Sequence, residues 1–180
     1  MLSIIFESHG TSFDNEAGLS SGGYDVALSP LGEQQARELG ERYKHKLPEA
    51  VYCSDLKRSW STAELAFGKT GIPIVQDQRL RECDYGILTR HPQAEVEATK
   101  AQYVNVSFPG GKSYAEMAQG MRLFLLEVMK QHDGRTIMII GSRATQYGLE
   151  HWVRRVPLAE AVVAPWQWQP GWTYTLTALE

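Results

Sequence analysis

The chain has 180 residues, 43% of them hydrophobic and 22% charged, the profile of a folded globular protein rather than a disordered one. Its 18 Lys and Arg against 21 Asp and Glu leave a formal charge of -3, which provides no electrostatic footprint for nucleic acid or an anionic membrane surface. Two cysteines, Cys53 and Cys83, are too few for a disulfide framework or a four-thiolate metal site.

The stretch from Met1 to Glu7 lacks a basic segment and meets an acid too early for a secretory leader. No apolar run approaches the ~20 residues that span a bilayer. A reducing, cytoplasmic setting is therefore expected. The absence of repeats and of Pro/Ser-rich linkers predicts one domain over 1–180. Ser3 to Phe6 reads as a buried strand, and Gly10 to Gly23, rich in turn formers, as a loop. Ser29 caps a helix that opens on Pro30 and carries Ala36, Leu39, Gly40 and Tyr43 on one face. Ala50 to Cys53 is a second strand. Ser54 or Asp55 is the expected cap of the next helix, in which Leu56, Trp60, Ala63 and Phe67 share a face and Gly68 is the stop. Ile72 to Val75 predicts a short strand at a sheet edge, because Pro73 cannot donate to a ladder. Ser113 to Glu116 is a capping box, opening a helix that turns Met117, Met121, Phe124, Leu125 and Val128 inward. Thr136 to Ile140 is the clearest strand, a helix follows from about Ala144 to Arg154, and Trp172 to Leu179 alternates like a last strand.

Strands alternating with helices predict an α/β fold: a mostly parallel central sheet with helices on both faces, a three-layer α/β/α sandwich. Such sheets bind ligands at the carboxyl ends of their strands. Three strands end there in polar residues, leading to Ser8-His9-Gly10, to Ser54 and Arg58, and to Gly141-Ser142-Arg143. If those strands are neighbours, His9, Arg58 and the Ser142-Arg143 pair converge on one edge, where helix N-termini also favour an anion. The five histidines, His9, His45, His91, His132 and His151, have no spacing that suggests a metal site.

In order along nearly the whole chain, these pieces resemble the histidine phosphatase, or phosphoglycerate mutase-like, superfamily, in its small phosphatase branch. His9-Gly10 followed by Asn15 is similar to the family's opening motif. Leu28-Ser29-Pro30-Leu31-Gly32 with Gln35-Ala36 is similar to its first helix, and Ser54-Asp55-Leu56-Lys57-Arg58 with Thr62-Ala63-Glu64 to its second phosphate-binding segment. Leu80 to Gly86 resembles the segment that supplies the acid. Phe108 to Ser113 and Ile139-Ile140-Gly141-Ser142 resemble the last two site segments. The resemblance implies a phosphoglycerate mutase-like fold and phosphomonoester hydrolysis of a small phosphorylated metabolite, without a cofactor or metal. It makes His9 the nucleophile and Glu82 the proton donor, Arg58 and Asn15 phosphate ligands, and Ser142 the occupant of the second histidine's position. The residue types suit that chemistry: imidazole accepts a phosphoryl group at neutral pH, and a guanidinium fork matches its oxygens. The mutases of the family carry longer insertions, so phosphatase is the expected activity. Tyr85 to Phe108 is expected to line the mouth.

Three positions depart from the family pattern. Ser8 stands where an arginine is expected, Ser142 where the second histidine is expected, and Lys112 where an acid is usual. Arg143 occupies a position that usually holds a small residue, so Arg143 and Lys112 are candidate replacements for the lost charge. The departures predict an attenuated phosphatase, and the runner-up is a phosphate-binding or regulatory module on the same fold. A serine hydrolase built on Ser142 is disfavoured, because Ile140 is not the small residue a nucleophile elbow needs and His151 falls in the same helix. Trp166, Trp168 and Trp172 read as core packing and turn chemistry, and both cysteines as buried, inert thiols.

Overall fold

The computed structural model describes residues 1–179. Its centre is a sheet of five strands: β1 (Leu2–Ser8), β2 (Val51–Cys53), β3 (Ile74–Gln76), β4 (Thr136–Gly141) and β5 (Trp172–Leu176), in the order β3-β2-β4-β1-β5. The four strands β3, β2, β4 and β1 are parallel, and β5 closes the far edge antiparallel to β1. Alternation along the strands assigns the two faces. Leu2, Ile4, Phe6, Ile137 and Ile139 meet Met121, Phe124, Leu125 and Leu149, from α5 (Tyr114–Gln131) and α6 (Arg143–Trp152). Met138, Ile140, Val51 and Cys53 meet Leu39, Ala63 and Phe67, from α2 (Pro30–Tyr43) and α3 (Lys57–Phe67). The three-layer sandwich is therefore a consequence of strand alternation, with apolar helix stripes on both faces.

The capping predictions hold for two helices. Ser29 accepts from Gly32 N at the start of α2, and Ser113 and Glu116 cap α5 reciprocally. They fail for α3. Its N-cap is Leu56, Ser54 N donates instead to Ser59 Oγ, and Asp55 pairs with Arg81. The end of α3 is served from a distance: Lys57 N donates to Asp25 Oδ1 at 2.7 Å. Trp60, expected inward, is exposed, and the buried face of α3 is instead Arg58, Ser59, Thr62, Ala63 and Phe67, because that face packs on the polar end of the sheet. The edge strand begins at Ile74 rather than Ile72, and β5 ends at Leu176 rather than Leu179. Three short helices lie where no helix is expected from sequence: α1 (Phe13–Glu16), inside the expected loop, α4 (Gln93–Thr99) and α7 (Leu158–Val163). A second core of Tyr85, Val96, Val104, Phe108, Tyr114 and Tyr147 ties α4 and α7 beneath the carboxyl ends of the strands. Among the described residues no helix is long and apolar enough to cross a membrane.

Candidate active site

His9 sits one residue beyond β1. Ser8 is in register with Gly141 of β4, and His9 N donates to Gly141 O at 3.0 Å, which fixes the histidine beside the carboxyl end of the neighbouring strand. The next residue is glycine because nothing larger fits: a Cβ at Gly10 would lie 2.4 Å from Gly32 O, on the first turn of α2. Gly10 N donates to Thr62 Oγ1 (3.0 Å), and Thr62 Oγ1 donates to Arg58 O (2.7 Å), so the β1 loop and the first turn of α3 are one hydrogen-bonded unit. Gln35 of α2 holds the other side, accepting from both N and Oγ1 of Thr11.

The His9 ring is oriented through Nδ1, 2.7 Å from Gly10 O. A carbonyl only accepts, so Nδ1 carries the proton and the Nε2 lone pair is left for chemistry. Burial, reinforced by the positive charge of Arg58, lowers the imidazole pKa from 6.5 to about 4. The histidine is thus neutral across the physiological range. Arg58 is buried and forks onto the loop after α1, donating to Gly22 O (2.7 Å) and Tyr24 O (2.8 Å). Its remaining N–H groups are those available to an anion. Burial lowers its pKa from the usual arginine range, and Glu82 opposes that shift.

Glu82 is held by main chain at both oxygens. Oε1 accepts from Cys83 N at 2.7 Å, and Oε2 from Ala144 N at 3.4 Å, at the opening of α6. Asn15 uses Oδ1 to cap α1, accepting from Ser12 N and Oγ, so only its amide nitrogen can serve a ligand. Ser142 is the N-cap of α6, and its backbone N donates to Thr145 Oγ1. Arg143 follows, its guanidinium 4.9 Å from the Trp166 ring centroid and 5.7 Å from that of Tyr147, one helical turn on. Arg143 Nε is buried and has no hydrogen-bond partner among the described residues. An orphaned arginine nitrogen is costly, and an anion is the partner that suits it.

Ser8, His9, Asn15, Arg58, Glu82, Ser142 and Arg143, the full set of site residues expected from sequence, line one cavity of about 460 Å³. Tyr85, Val96 and Glu97 line it too, so the segment expected at the mouth is there. Lys112 is elsewhere: it lines a separate hollow with Tyr24, Arg79 and Arg81 that reaches Glu82 from the other side. The tryptophan expectation needs correction in part. Trp172 packs in the core against Phe6, whereas Trp166 and Trp168 line the cavity. Their signal in the sequence was aromatic residues flanked by Pro165 and Pro170, a pattern that also fits a turn. Among the described residues no group of three or more His, Cys, Asp or Glu gathers as a metal site. Both cysteines are free and buried, and burial pushes the Cys53 thiol up to about 12.

Comparison with known proteins places the fold and the family. A probable phosphoglycerate mutase GpmB of Erwinia tasmaniensis is 37% identical over 130 residues, 68% of this chain and 60% of that protein, so the match spans less than two thirds of that relative. The corresponding Salmonella paratyphi C protein is 29% identical over 170 residues, 86% of this chain and 79% of the relative. Among solved structures, Bacillus stearothermophilus YhfR superposes with a TM-score of 0.85 at 22% identity, over 96% of this chain and 90% of that one. A mycobacterial glucosyl-3-phosphoglycerate phosphatase in complex with VO3 superposes with a TM-score of 0.81 at 22% identity, over 91% and 87%. The model of the histidine phosphatase superfamily, branch 1, matches residues 4–163, from the first strand to the end of α7, and the chain is a member of that superfamily.

Proposed function

We propose that this chain, as a single domain, hydrolyses small phosphomonoesters by way of a phosphohistidine on His9 Nε2, at a rate attenuated by Ser8 and Ser142. Membership in a superfamily of phosphatases and mutases supports phosphoryl transfer in general. The observation that carries the finer reading is the state of His9: neutral, oriented by Gly10 O, and sharing a cavity with Arg58, Glu82 and Arg143. In the first step Nε2 attacks phosphorus, the P–O ester bond breaks, and Glu82 gives its proton to the leaving oxygen. In the second, water attacks phosphorus, its proton passes to Glu82, the P–N bond breaks, and inorganic phosphate leaves. Arg58, Asn15 Nδ2 and Arg143 stabilise the equatorial oxygens. Arg143 stands in for the charge missing at Ser8.

The serines give the second reading its basis. A site without the usual arginine and second histidine retains phosphate binding more readily than turnover, the behaviour of a regulatory phosphate-binding module. Phosphate release from an aryl phosphate, with His9→Ala as blank, separates the two. Turnover that disappears in His9→Ala and persists in chelator supports the enzyme; wild-type rates in His9→Ala exclude His9 as nucleophile. Glu82→Gln is expected to slow alkyl esters far more than activated aryl esters, since only the former need the proton.

A further inference from the structure

Trp166 and Trp168 line the cavity beside the proposed phosphate ligands, and phosphate transfer leaves them without a role. Trp166 is fixed on three sides. Its Nε1 donates to Gln146 Oε1 at 2.8 Å, its ring lies nearly parallel to Trp172 at 6.0 Å, and Arg143 covers it at 4.9 Å. Trp172 in turn packs on Phe6 of the core. The wall is therefore rigid and joined through Arg143 to the phosphate end. Trp168, by contrast, is 55% exposed although it lines the same cavity. The cavity, about 460 Å³, falls in the range of sites that enclose a whole small-molecule ligand.

The charged residues lining the cavity select further. Arg42 lines the cavity, but Glu7 takes its guanidinium at 3.0 Å. Glu38 also lines it, as does Glu97, which Lys100 Nζ holds at 2.6 Å. With Arg58 and Arg143 given to the phosphate and Arg42 to Glu7, no other arginine or lysine among the described residues lining the cavity is left for a carboxylate on the leaving group, whereas a flat uncharged ring would meet an indole.

Resting on the phosphomonoesterase reading, we infer that Trp168 is a specificity-determining residue, and that the preferred substrates are phosphomonoesters whose leaving group bears a flat, uncharged aromatic ring, as in an aryl phosphate or a nucleoside monophosphate. Stacking of a base on an aromatic side chain contributes roughly tenfold or more in affinity. The wall acts on binding, so it belongs in KM rather than kcat.

The experiment has a binding arm and a kinetic arm. In the binding arm the His9→Ala protein, which cannot turn over, is titrated calorimetrically with inorganic phosphate, 2-naphthyl phosphate, adenosine 5′-monophosphate and 3-phosphoglycerate. At least one aromatic ester is expected to bind about tenfold or more tighter than inorganic phosphate and 3-phosphoglycerate. Which of the two aromatic esters shows the gain distinguishes a simple aryl group from a nucleoside. In the double variant His9→Ala/Trp168→Ala that advantage is expected to vanish, and in His9→Ala/Trp168→Phe to be kept within about threefold. In the kinetic arm Trp168→Ala is expected to raise the KM of the aromatic ester about tenfold relative to that of glycerol 2-phosphate, with kcat for the aromatic ester within about twofold. Equal affinity for phosphate and both aromatic esters would overturn the inference and leave the phosphatase reading standing. Failure of all ligands to bind, together with no turnover by the wild-type protein, would overturn both.

Discussion

His9, the proposed nucleophile, carries a cost at low pH. Its folded pKa of about 4 lies below the unfolded value of 6.5. Between those values the unfolded chain binds the extra proton, so stability rises with pH through that window and falls as the pH drops from 6.5 towards 4. The contribution is about 3 kcal/mol at its largest, from the spacing of the two values. His9→Asn removes it. Urea unfolding at pH 7 and pH 4.5 is expected to show the variant gaining on the wild-type protein by about 2–3 kcal/mol on acidification. A constant difference between the two proteins would mean that the imidazole protonates freely in the fold. Ser142 offers the complementary test. It sits at the N-cap of α6 in the same cavity as His9, too short to reach a phosphoryl oxygen as an imidazole would. A preorganised donor at such a position contributes ~10²–10³ in rate. Ser142→His is expected to raise kcat at least about tenfold with little change in KM, because the new interaction acts in the transition state. Should the single variant be no faster, Ser142→His/Ser8→Arg tells whether Ser8 is limiting. A double variant no faster than wild type favours the binding-module reading.

The element that holds the His9 loop is α2, whose first turn lies directly on the loop after β1. A Cβ at Gly32 would stand 2.0 Å from Thr11 O, closer than any side chain is tolerated. Gly32→Ala must push α2 away from Thr11, loosening Gln35 and the Gly10 loop together. It is expected to cost about 2–3 kcal/mol by overpacking and to lower activity. Gly120→Ala in α5 is the contrast: its added methyl meets nothing nearer than 3.9 Å, so about 0.5–1 kcal/mol of stabilisation is expected. Denaturant midpoints of the two variants moving in the same direction would refute this account of the contact. The same scale shows what was legible in the chain beforehand. Ser29-Pro30 and Ser113 to Glu116 carry their caps locally, and Thr136 to Ile140 is long and apolar, so those elements could be read directly. The first backbone N–H of α3 is satisfied by Asp25, 32 residues before Lys57 in sequence, which no local pattern reports. The helices Phe13–Glu16, Gln93–Thr99 and Leu158–Val163 are too short to show a helical period, and tertiary contacts hold them. His9, Arg58, Ser142 and Arg143 were legible because they follow strand ends, whereas Asn15 and Glu82 were legible only through the family resemblance. Trp166 and Trp168 were not, since their turn-like composition hides which way the indoles face.

At the scale of the molecule, the cavity gathers segments far apart in the chain: the end of β1, the loop that accepts from Arg58, the start of α3, Glu82, and the opening of α6. Unfolding separates them all, so an anion held in the cavity binds only the folded state and stabilises it globally. Two arginines are the positive charges closest to that task, and they are not equivalent probes. Arg58 is buried and pins Gly22 and Tyr24, so removing it also frees the loop. Arg143 lies near the Trp166 and Tyr147 rings with an unpartnered Nε, so removing it is expected to subtract the proposed anion contact with less damage to the frame. Inorganic phosphate at about 100 times its Kd contributes ~2.7 kcal/mol. For a chain of this size that corresponds to a rise of about 5–10 °C in Tm. The measurement is thermal unfolding in phosphate and in chloride of equal ionic strength, for the wild-type protein and Arg143→Ala. The wild-type protein is expected to show the full rise, and Arg143→Ala less than half of it. Phosphate also strengthens apolar burial in any protein, and that general effect is common to both chains. Equal rises in the two would assign the whole effect to the salt and remove Arg143 from the anion site.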